Sequence, residues 1–439
     1  MPDSTRIEPA RTLRGTLQVP PDKSISHRAA LAALLSTRQT TVHDYLPAED
    51  TFATLDAIKA FGARIDRAGA SVHITGVGLE KALEPQSVID AHNSGTLIRI
   101  ILGIAAGYGR FACFTGDSSL RRRPMGRVVA PLREMGAEIV GSRGGERLPL
   151  AVLGNGGGLR GTEHEIPVAS AQVKSCLLFA GLFADSPVSV VEPGRSRDHT
   201  ERLFGACGVE VRGEDLPGGA RRIKIEPPGR LEVPPEILVP GDVSSAAFWV
   251  AGTLVVPGSE VRIKGVGLNP TRGGFLDILR EMGADVKASG VRKDRIGEPV
   301  GELVVRHTKL RGTTVGAGNV PGAVDELPLL ALVGAFAEGE TVVEDAGELR
   351  FKETDRISAV CEEFSKVGVE IEEREDGFVV RGTEGIRGGR ASSRGDHRLA
   401  MGLGVAGLAS REGIEVEDMA TSSVSYPGFL EDLGRIACW

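Results

Sequence analysis

Cations and hydroxyl groups stand at the beginning of apolar segments in this chain, where they could bind an anionic small molecule. The stretch "PPDKSISHRAALAALLS" (residues 20–36) opens with Lys23, Ser24 and Arg28 and continues almost entirely in Ala and Leu. The first turn of a helix exposes unpaired N–H groups and the positive end of the helix dipole. A buried helix that begins with such side chains is therefore suited to hold an anion at its first turn.

Similar polar motifs recur along the chain. They are "NSGT" (93–96), "DSSLRRRPMGR" (117–127), "SAQVKS" (170–175), "SRDHTER" (196–202), "FKETDR" (351–356) and "GDHR" (395–398). Arg123 directly precedes Pro124, which favours a helix that begins at this proline. Taken singly, each motif is also typical of helix capping or of a solvated surface with salt bridges.

Taken together, the motifs indicate a site for substrates that carry several anionic groups, such as phosphate and carboxylate. Asp325 and Glu353 lie among cations and are the carboxylates best suited to transfer protons. The residues alone do not identify the reaction. "GAGNVPG" (316–322) resembles a nucleotide loop, but Pro321 and the missing strand–helix frame argue against it. The eight histidines show no metal-ligand spacing.

Composition narrows the class of protein. The chain has 439 residues, a formal net charge of −7 and five cysteines without a C-x-x-C pair. The charge argues against a nucleic-acid or membrane-surface partner. Scattered cysteines are typical of reduced thiols. No apolar stretch has the length of a membrane span, and the N-terminus does not have the pattern of a signal peptide. We expect a soluble cytoplasmic protein of two or three domains.

Two interleaved series indicate about six copies of one structural unit, spaced 66–85 residues apart. One series is a short pattern such as "MGAEI", whose glycine is expected just beyond a helix and before a strand. Its glycines are Gly62, Gly136, Gly208, Gly283, Gly368 and, in a weakened copy, Gly434. The other series consists of six apolar helices that open near Ser24, Ser94, Ser170, Asp242, Asp325 and Asp396. We expect these helices to be interior and their first turns to form one site.

At these motifs the sequence resembles the 5-enolpyruvylshikimate-3-phosphate synthase family over essentially the whole chain. The motifs that carry the resemblance occur in order: "DKSISHR", "NSGT", "RRRPMGR", "SAQVKS", "SRDHTER", "GDVSSAAF", "DELP", "KETDR", "GDHR" and "SVSYP". The family implies an α/β fold of two similar domains, each of three βαβαββ units in an inside-out α/β barrel. It places the active site in the interdomain cleft. One domain would comprise residues 1–20 and 240–439, and the other residues 21–239.

The resemblance implies transfer of the enolpyruvyl group of phosphoenolpyruvate to the 5-hydroxyl of shikimate 3-phosphate, with release of phosphate. The reaction belongs to the shikimate pathway, which leads to chorismate and the aromatic amino acids. No cofactor and no metal are implied. The expected partners are the two small-molecule substrates, with glyphosate as an inhibitor because Gly95 leaves room beside the phosphate. We expect a monomer with neither nucleic-acid nor membrane partners.

The resemblance also assigns roles motif by motif. Lys23, Asp325 and Glu353 would be catalytic, with Glu353 protonating the CH₂ carbon and Asp325 accepting a proton from the acceptor hydroxyl. The residues implied for 3-phosphoshikimate are Lys23, Ser24, Arg28, Ser170, Gln172, Arg197, Asp325 and Lys352. Those implied for phosphoenolpyruvate are Lys23, Gly95, Arg123, Gln172, Arg356 and Arg398. Asn93 and Thr96 would support the helix start at Gly95.

The sequence departs from the family at a few positions, and other functions remain as alternatives. Pro21 and His92 replace frequent glycines, and Val424 stands where some members have a lysine near the last helix. The main alternative is the sister enzyme that transfers enolpyruvyl to UDP-N-acetylglucosamine, whose helix start has Asn rather than Ser24. An RNA 3′-phosphate cyclase would need a basic surface. A non-catalytic anion-binding protein would not need both Asp325 and Glu353.

Overall fold

The chain divides into two compact units in the computed structural model, which describes residues 4–383 and 385–439. Unit 1 consists of the described residues through Pro20, together with Pro240–Arg292 and Pro299–Trp439. Unit 2 consists of Pro21–Val239 and Lys293–Glu298. The sequence predicted that all of residues 240–439 belong to one domain. This prediction was wrong for Lys293–Glu298, which belongs to unit 2. It belongs to unit 2 because Ile296 and Glu298 are buried there, with 2% and 1% of their surface exposed.

Unit 2 contains three four-stranded sheets of the same topology, with strands numbered in chain order. The first sheet has the strand order β14 (Glu236–Leu238), β3 (Gln39–His43), β5 (Ser71–Thr75) and β4 (Arg64–Ala68). The second has the order β6 (Ile89–Asp90), β7 (Ala112–Thr115), β9 (Arg147–Val152) and β8 (Ile139–Ser142). The third has the order β10 (Glu163–Glu165), β11 (Val188–Glu192), β13 (Arg221–Ile225) and β12 (Val211–Asp215). The first pair in each sheet is parallel and the other two pairs are antiparallel. This threefold repeat matches the expected βαβαββ pattern.

Six helices of unit 2 alternate between buried and surface positions. They are α1 (Lys23–Leu34), α2 (Glu49–Ala60), α3 (Gly95–Tyr108), α4 (Gly126–Glu134), α5 (Ala171–Gly181) and α6 (His199–Ala206). Almost every residue of α1, α3 and α5 is buried, whereas α2, α4 and α6 bury one side. The predicted interior helices of this unit are therefore confirmed. Because these helices are buried, contact with solvent does not account for the polar side chains of their first turns.

Unit 1 repeats the same sheet pattern less regularly. A five-stranded sheet has the order β16 (Asp285–Lys293), β17 (Pro299–Arg306), β15 (Glu260–Gly267), β2 (Thr12–Leu17) and β26 (Ala437–Cys438). A four-stranded sheet has the order β19 (Thr314–Val315), β21 (Glu340–Val343), β23 (Gly377–Arg381) and β22 (Glu370–Arg374). A three-stranded sheet has the order β1 (Ser4–Ile7), β25 (Ile414–Glu417) and β24 (Gly389–Ser392), and β18 (Leu310–Arg311) pairs with β20 (Ala337–Glu338). Parallel pairs β2/β15, β19/β21 and β24/β25 recur. The third copy is completed by β1, which runs antiparallel to β25.

Seven helices of the described chain belong to unit 1. They are α7 (Val243–Val255), α8 (Gly274–Glu281), α9 (Val320–Ala323), α10 (Leu330–Ala335), α11 (Arg356–Lys366), α12 (His397–Ala409) and α13 (Phe429–Ile436). The buried helices α7, α10 and α12 are the expected interior ones. Asp325 does not open an α-helix, contrary to expectation. A 3-10 turn, Leu327–Leu329, intervenes between Asp325 and α10.

The repeated glycines end surface helices as expected, with one exception. Gly62, Gly136, Gly208, Gly283 and Gly368 have φ between 81° and 107° and each follows the last capping residue of its helix. A side chain with a Cβ atom is strained at such φ values. The sixth position, Gly434, lies inside α13, so the prediction that this glycine follows the end of a helix was wrong.

Within residues 4–383 and 385–439, no helix combines the length and the apolar character that crossing a membrane requires.

Candidate active site

The first turn of α1 presents a lysine that is paired and largely buried. Asp22 caps the helix by accepting the N–H of Ile25 at 2.8 Å. The Lys23 ammonium lies 3.0 Å from Asp50 Oδ2, with 18% of its side chain exposed. The helix cap and the Asp50 carboxylate thus hold the Lys23 side chain in place, and part of it stays accessible.

Arg28 lies one turn further along α1 and joins three elements of unit 2. Its Nε donates to Thr200 Oγ1 at 2.8 Å, its Nη2 to Ser175 Oγ at 2.8 Å and its Nη1 to the Ser24 carbonyl at 3.0 Å. Burial, with the neighbouring charge of Arg197, lowers the pKa of Arg28 to about 10, whereas Glu201 acts to raise it. Arg28 remains cationic at neutral pH, and with Arg197 nearby it forms a pair of positive charges suited to an anion.

The start of α3 brings Gly95 against two guanidinium groups. Ser94 caps the helix by accepting the N–H of Leu97. A Cβ atom added at Gly95 would lie 2.9 Å from Arg99 Nη1 and 3.1 Å from Arg123 Nη1. Arg123 in turn donates to Asn93 Oδ1 at 2.6 Å. Any small anion placed over Gly95 would therefore meet a helix N-terminus and two arginines.

The expected helix start at Pro124 was wrong. Arg123 follows a 3-10 turn, Leu120–Arg122, and α4 begins only at Gly126. The Arg123 side chain nevertheless donates to Asn93, which in turn donates to Asp117 and so ties this segment to the start of α3. The predicted local structure was wrong, and the role of Arg123 at the site stays a prediction.

Gln172 connects the starts of α3 and α5. Its amide nitrogen donates to Thr96 Oγ1 at 3.0 Å, and its Oε1 accepts from Arg99 Nη1 at 2.5 Å. Ser170 caps α5 by accepting the N–H of Val173 at 3.5 Å. Arg99 was missed by the sequence analysis, although a single arginine inside the apolar run "GTLIRIILGIAA" was a usable signal.

Lys174 holds the segment that carries Arg197. Its ammonium lies 2.9 Å from Glu192 Oε1 and 2.8 Å from Glu201 Oε1, and it contacts the Ser196 carbonyl at 3.4 Å. Glu192 also accepts from the Ser196 hydroxyl at 2.5 Å. Burial alone would lower the pKa of Lys174, but the two carboxylates raise it above the ordinary value. This buried network fixes the chain on both sides of Arg197.

His27 links three helices as a neutral ring. Its Nδ1 shares a hydrogen bond of 2.6 Å with Thr54 Oγ1 on α2, and its Nε2 lies 3.5 Å from Ser94 Oγ. Burial, together with the charges of Lys23 and Arg28, lowers its pKa from 6.5 to about 3, against the opposing effect of Asp50. These contacts give His27 a structural role between α1, α2 and the start of α3.

Acidification is expected to destabilise the fold through His27. Below pH 6.5 the unfolded chain binds a proton at this histidine, whereas the folded chain does not until about pH 3. Since the unfolded state then holds more protons, the free energy of unfolding falls as pH is lowered. Between pH 7 and pH 5 the loss is about 2 kcal/mol from this group. Urea unfolding of the wild type and of His27→Asn at both pH values measures it. An equal pH dependence in the two proteins would contradict the assignment.

A second cluster, in unit 1, surrounds Arg356 at the first residue of α11. Its Nε donates to Asp396 Oδ2 at 2.7 Å, its Nη2 to Glu353 Oε2 at 2.5 Å, and its Nη1 lies 3.5 Å from Asp325 Oδ1. Burial alone would lower the pKa of Arg356, but these three carboxylates raise it. Asp396, which also caps α12, is fully buried. The arginine thus fixes two acidic side chains that were predicted to transfer protons.

Asp325 is surrounded by three cations of unit 1. Besides Arg356, its carboxylate lies 3.6 Å from Lys352 Nζ and 3.7 Å from Arg398 Nη2. Arg398 also donates to the Asp325 carbonyl at 3.2 Å and lies 3.8 Å from Glu326. Burial and the charge of Arg356 lower the pKa of Lys352, while Asp325 opposes the shift. Positive charge is therefore concentrated around the Asp325 carboxylate.

The structure brings the predicted residues together within each unit. In unit 2 they lie at the starts of α1, α3 and α5 and before α4 and α6. In unit 1 they lie around Asp325, just before α11, and in the first turns of α11 and α12. Asn93 and Thr96 make the supporting contacts described above. Thr200, Ser175, Asp50, Asp396 and Glu326 were not among the predicted site residues, although Asp396 was predicted to open a helix. Most of these act as partners of a predicted cation, which local patterns do not reveal.

The fold and these clusters define an α/β protein of two repeated units, whose clustered cations are suited to bind polyanionic small molecules. The family model for EPSP synthase (3-phosphoshikimate 1-carboxyvinyltransferase) matches residues 7–433. The chain therefore belongs to the EPSP synthase family.

Individual members of the family are similar to this chain over nearly its full length. The 3-phosphoshikimate 1-carboxyvinyltransferase of Synechococcus sp. is 46% identical over 436 residues, covering 99% of this chain and 97% of that protein. Its counterpart from Thermus thermophilus is 47% identical over 435 residues, covering 99% of each. A solved structure of EPSP synthase from Acinetobacter baumannii matches with a TM-score of 0.86 at 37% identity, covering 98% of each chain.

Proposed function

We propose that this protein transfers the enolpyruvyl group of phosphoenolpyruvate to the 5-hydroxyl of shikimate 3-phosphate, giving 5-enolpyruvylshikimate 3-phosphate and phosphate. The observation that carries the proposal is the cluster in which three cations surround Asp325 and Arg356 holds Glu353. It occurs in a chain that matches the EPSP synthase family from residue 7 to residue 433. Both substrates are multiply anionic, as the cations of the two units require.

The unit 2 residues bind both substrates in this proposal. Ser24 and Arg28 take the shikimate carboxylate and the neighbouring hydroxyl. Ser170, Gln172 and Arg197 surround shikimate 3-phosphate, with its phosphate near Ser170 and Arg197. For phosphoenolpyruvate, Gly95 and Arg123 meet the phosphate. Two residues contact both substrates, Lys23 and Gln172.

The unit 1 residues supply the proton transfers and the carboxylate contacts. Glu353 protonates the CH₂ carbon of phosphoenolpyruvate, which leaves C2 electrophilic. The 5-hydroxyl attacks C2 and loses its proton to Asp325, with Lys23 beside the reacting groups. Phosphate then leaves the tetrahedral intermediate and takes up the proton that Asp325 holds, while the new methyl group returns a proton to Glu353, which restores the double bond and both carboxylates. Lys352 contacts shikimate 3-phosphate, and Arg356 and Arg398 hold the carboxylate of phosphoenolpyruvate.

Gly95→Ala is expected to raise the KM for phosphoenolpyruvate on the order of tenfold while leaving the KM for shikimate 3-phosphate nearly unchanged. The added methyl group would displace Arg99 Nη1 and Arg123 Nη1, which lie 2.9 Å and 3.1 Å from its position. Steady-state kinetics with each substrate varied in turn measure this effect. Gly434→Ala is the matched control, because its Cβ would meet nothing within 4 Å. An unchanged KM for phosphoenolpyruvate would remove Gly95 from the phosphate site.

The space beside Gly95 also supports a proposal that glyphosate inhibits the enzyme. Activity at millimolar glyphosate, with phosphoenolpyruvate near its KM, tests it directly. Inhibition that is competitive with phosphoenolpyruvate is expected. Full activity under these conditions would contradict the proposal.

The test of the function is phosphate release with both substrates present and with each omitted in turn. Release that requires both supports the transferase. If phosphoenolpyruvate stays intact, UDP-N-acetylglucosamine is tried as the acceptor, and release with it would replace the proposed substrate. We also propose that the protein is a monomer, which sedimentation of the active protein tests.

A further inference from the structure

Lys293–Glu298, here called the hairpin tip, forms the turn between β16 and β17. The strands lie mainly in unit 1, yet the tip packs within unit 2. Asp294 Oδ1 folds the tip by accepting the N–H groups of Ile296 at 3.0 Å and Glu298 at 2.8 Å. The result is a compact turn that places the Glu298 carboxylate in the interior of unit 2, where an unpaired charge would be costly.

The tip is fastened to the first turn of α6. Glu298 Oε1 lies 2.8 Å from His199 Nδ1, and both side chains are at most 3% exposed. Because a carboxylate only accepts hydrogen bonds, the Nδ1 atom carries the proton. The Gly297 carbonyl accepts from Arg202 Nη1 at 2.7 Å. His199 Nε2 has no hydrogen-bond partner among the described residues, so Glu298 is the polar group that orients this ring.

The same turn of α6 holds Arg28. Thr200, next to His199, accepts from Arg28 Nε and shares a hydrogen bond of 2.7 Å with Ser175. Arg197 precedes His199 by two residues. Glu298 also contributes to the electrostatic environment of Arg28, since its charge acts to raise the Arg28 pKa against the dominant effect of burial. A shift of His199 would therefore move Thr200 and the pair of cations around it.

We propose that Glu298 is a positioning residue for shikimate 3-phosphate, which orients Arg28 and Arg197 through His199 and Thr200. The inference rests on the proposed function, and it assigns to that site a residue from a turn almost one hundred residues away. Glu298 does not contact the substrate in this account. It sets the geometry and the compensating charge of the cations that do.

The experiment compares Glu298→Gln with the wild type. The amide keeps the size of the side chain but replaces the charge-assisted hydrogen bond to His199 with a weaker neutral one. Removing the negative charge would by itself favour an anion, so a loss of affinity reports the weaker positioning of His199. We expect the KM for shikimate 3-phosphate, and its Kd measured by calorimetry without the second substrate, to rise on the order of tenfold. The KM for phosphoenolpyruvate and kcat should stay within about twofold. Glu302→Gln is the matched control, because Glu302 lies on β17 and pairs with Arg262 rather than with α6.

A second pair of variants keeps the test decisive if Glu298→Gln does not fold. His199→Asn retains a donor in place of Nδ1 and should bind shikimate 3-phosphate nearly as the wild type does, whereas His199→Leu should lose affinity. Equal loss for both substrates, a fall in kcat alone, or unchanged affinity in all variants would overturn the inference. A wild type that releases no phosphate would instead overturn the proposed function, so the two failures are distinguishable.

Discussion

Glu353→Gln is expected to lower kcat by about 10²–10⁴-fold while the fold persists. The amide is nearly the same size as the carboxyl group and can keep the contact with Arg356, whose Nη2 lies 2.5 Å from Glu353 Oε2. It cannot deliver a proton to carbon, so only the chemical step should suffer. Steady-state kcat with both substrates saturating measures the effect, and thermal unfolding checks that the protein remains folded. Asp325→Asn is expected in the same range, because it removes the group that accepts the hydroxyl proton.

Glu362→Gln provides the control for this prediction. Glu362 lies on α11 close to Glu353 in sequence, but its side chain is exposed and pairs with Arg394. Its replacement should leave kcat within about twofold, since surface pairs contribute little. If Glu353→Gln and Asp325→Asn both retained wild-type turnover, neither carboxylate could be the proton-transfer group, and a binding role for the cluster would be preferred.

Helix starts and ends were predictable because their signals are local. Asp22, Ser94, Ser170, Asp242 and Asp396 each cap a helix with their own side chain, as their residue types indicate. The helix-ending glycines were predictable for the same reason. Periodicity, capping and repetition therefore suffice to predict most of the helices in each unit and the order in which they recur.

The partners of the site residues were not predictable in the same way. Thr200 is 172 residues from Arg28, and Glu298 is 99 residues from His199. Nothing in the sequence near Arg28 indicates which distant hydroxyl accepts from it, because that choice depends on how the repeats pack. The hairpin tip was assigned to the wrong unit for the same reason: its sequence, "KDRIGE", reads as an ordinary polar turn.

Lys174→Met is expected to destabilise unit 2 by about 3–5 kcal/mol. Lys174 is 1% exposed and pairs with Glu192, which is fully buried, and with Glu201. Removing the ammonium leaves the Glu192 carboxylate buried without a compensating charge. Because the carboxylates hold the pKa of Lys174 above its ordinary value, the pair contributes fully at pH 7 and is lost only as pH rises through that raised pKa. Urea unfolding at pH 7 measures the loss.

Two further variants separate the buried charge from the lost side chain. Lys366→Met is the matched control, because Lys366 pairs with Glu363 but is 50% exposed, so its loss should cost about 1 kcal/mol or less. Lys174→Met combined with Glu192→Gln should be more stable than Lys174→Met alone, since the uncompensated charge is then gone. Suppose instead that the double variant lost as much unfolding free energy as Lys174→Met and Glu192→Gln lose in total when each is made alone. Lys174 and Glu192 would then not be coupled. The buried network would then be no explanation for the placement of Arg197.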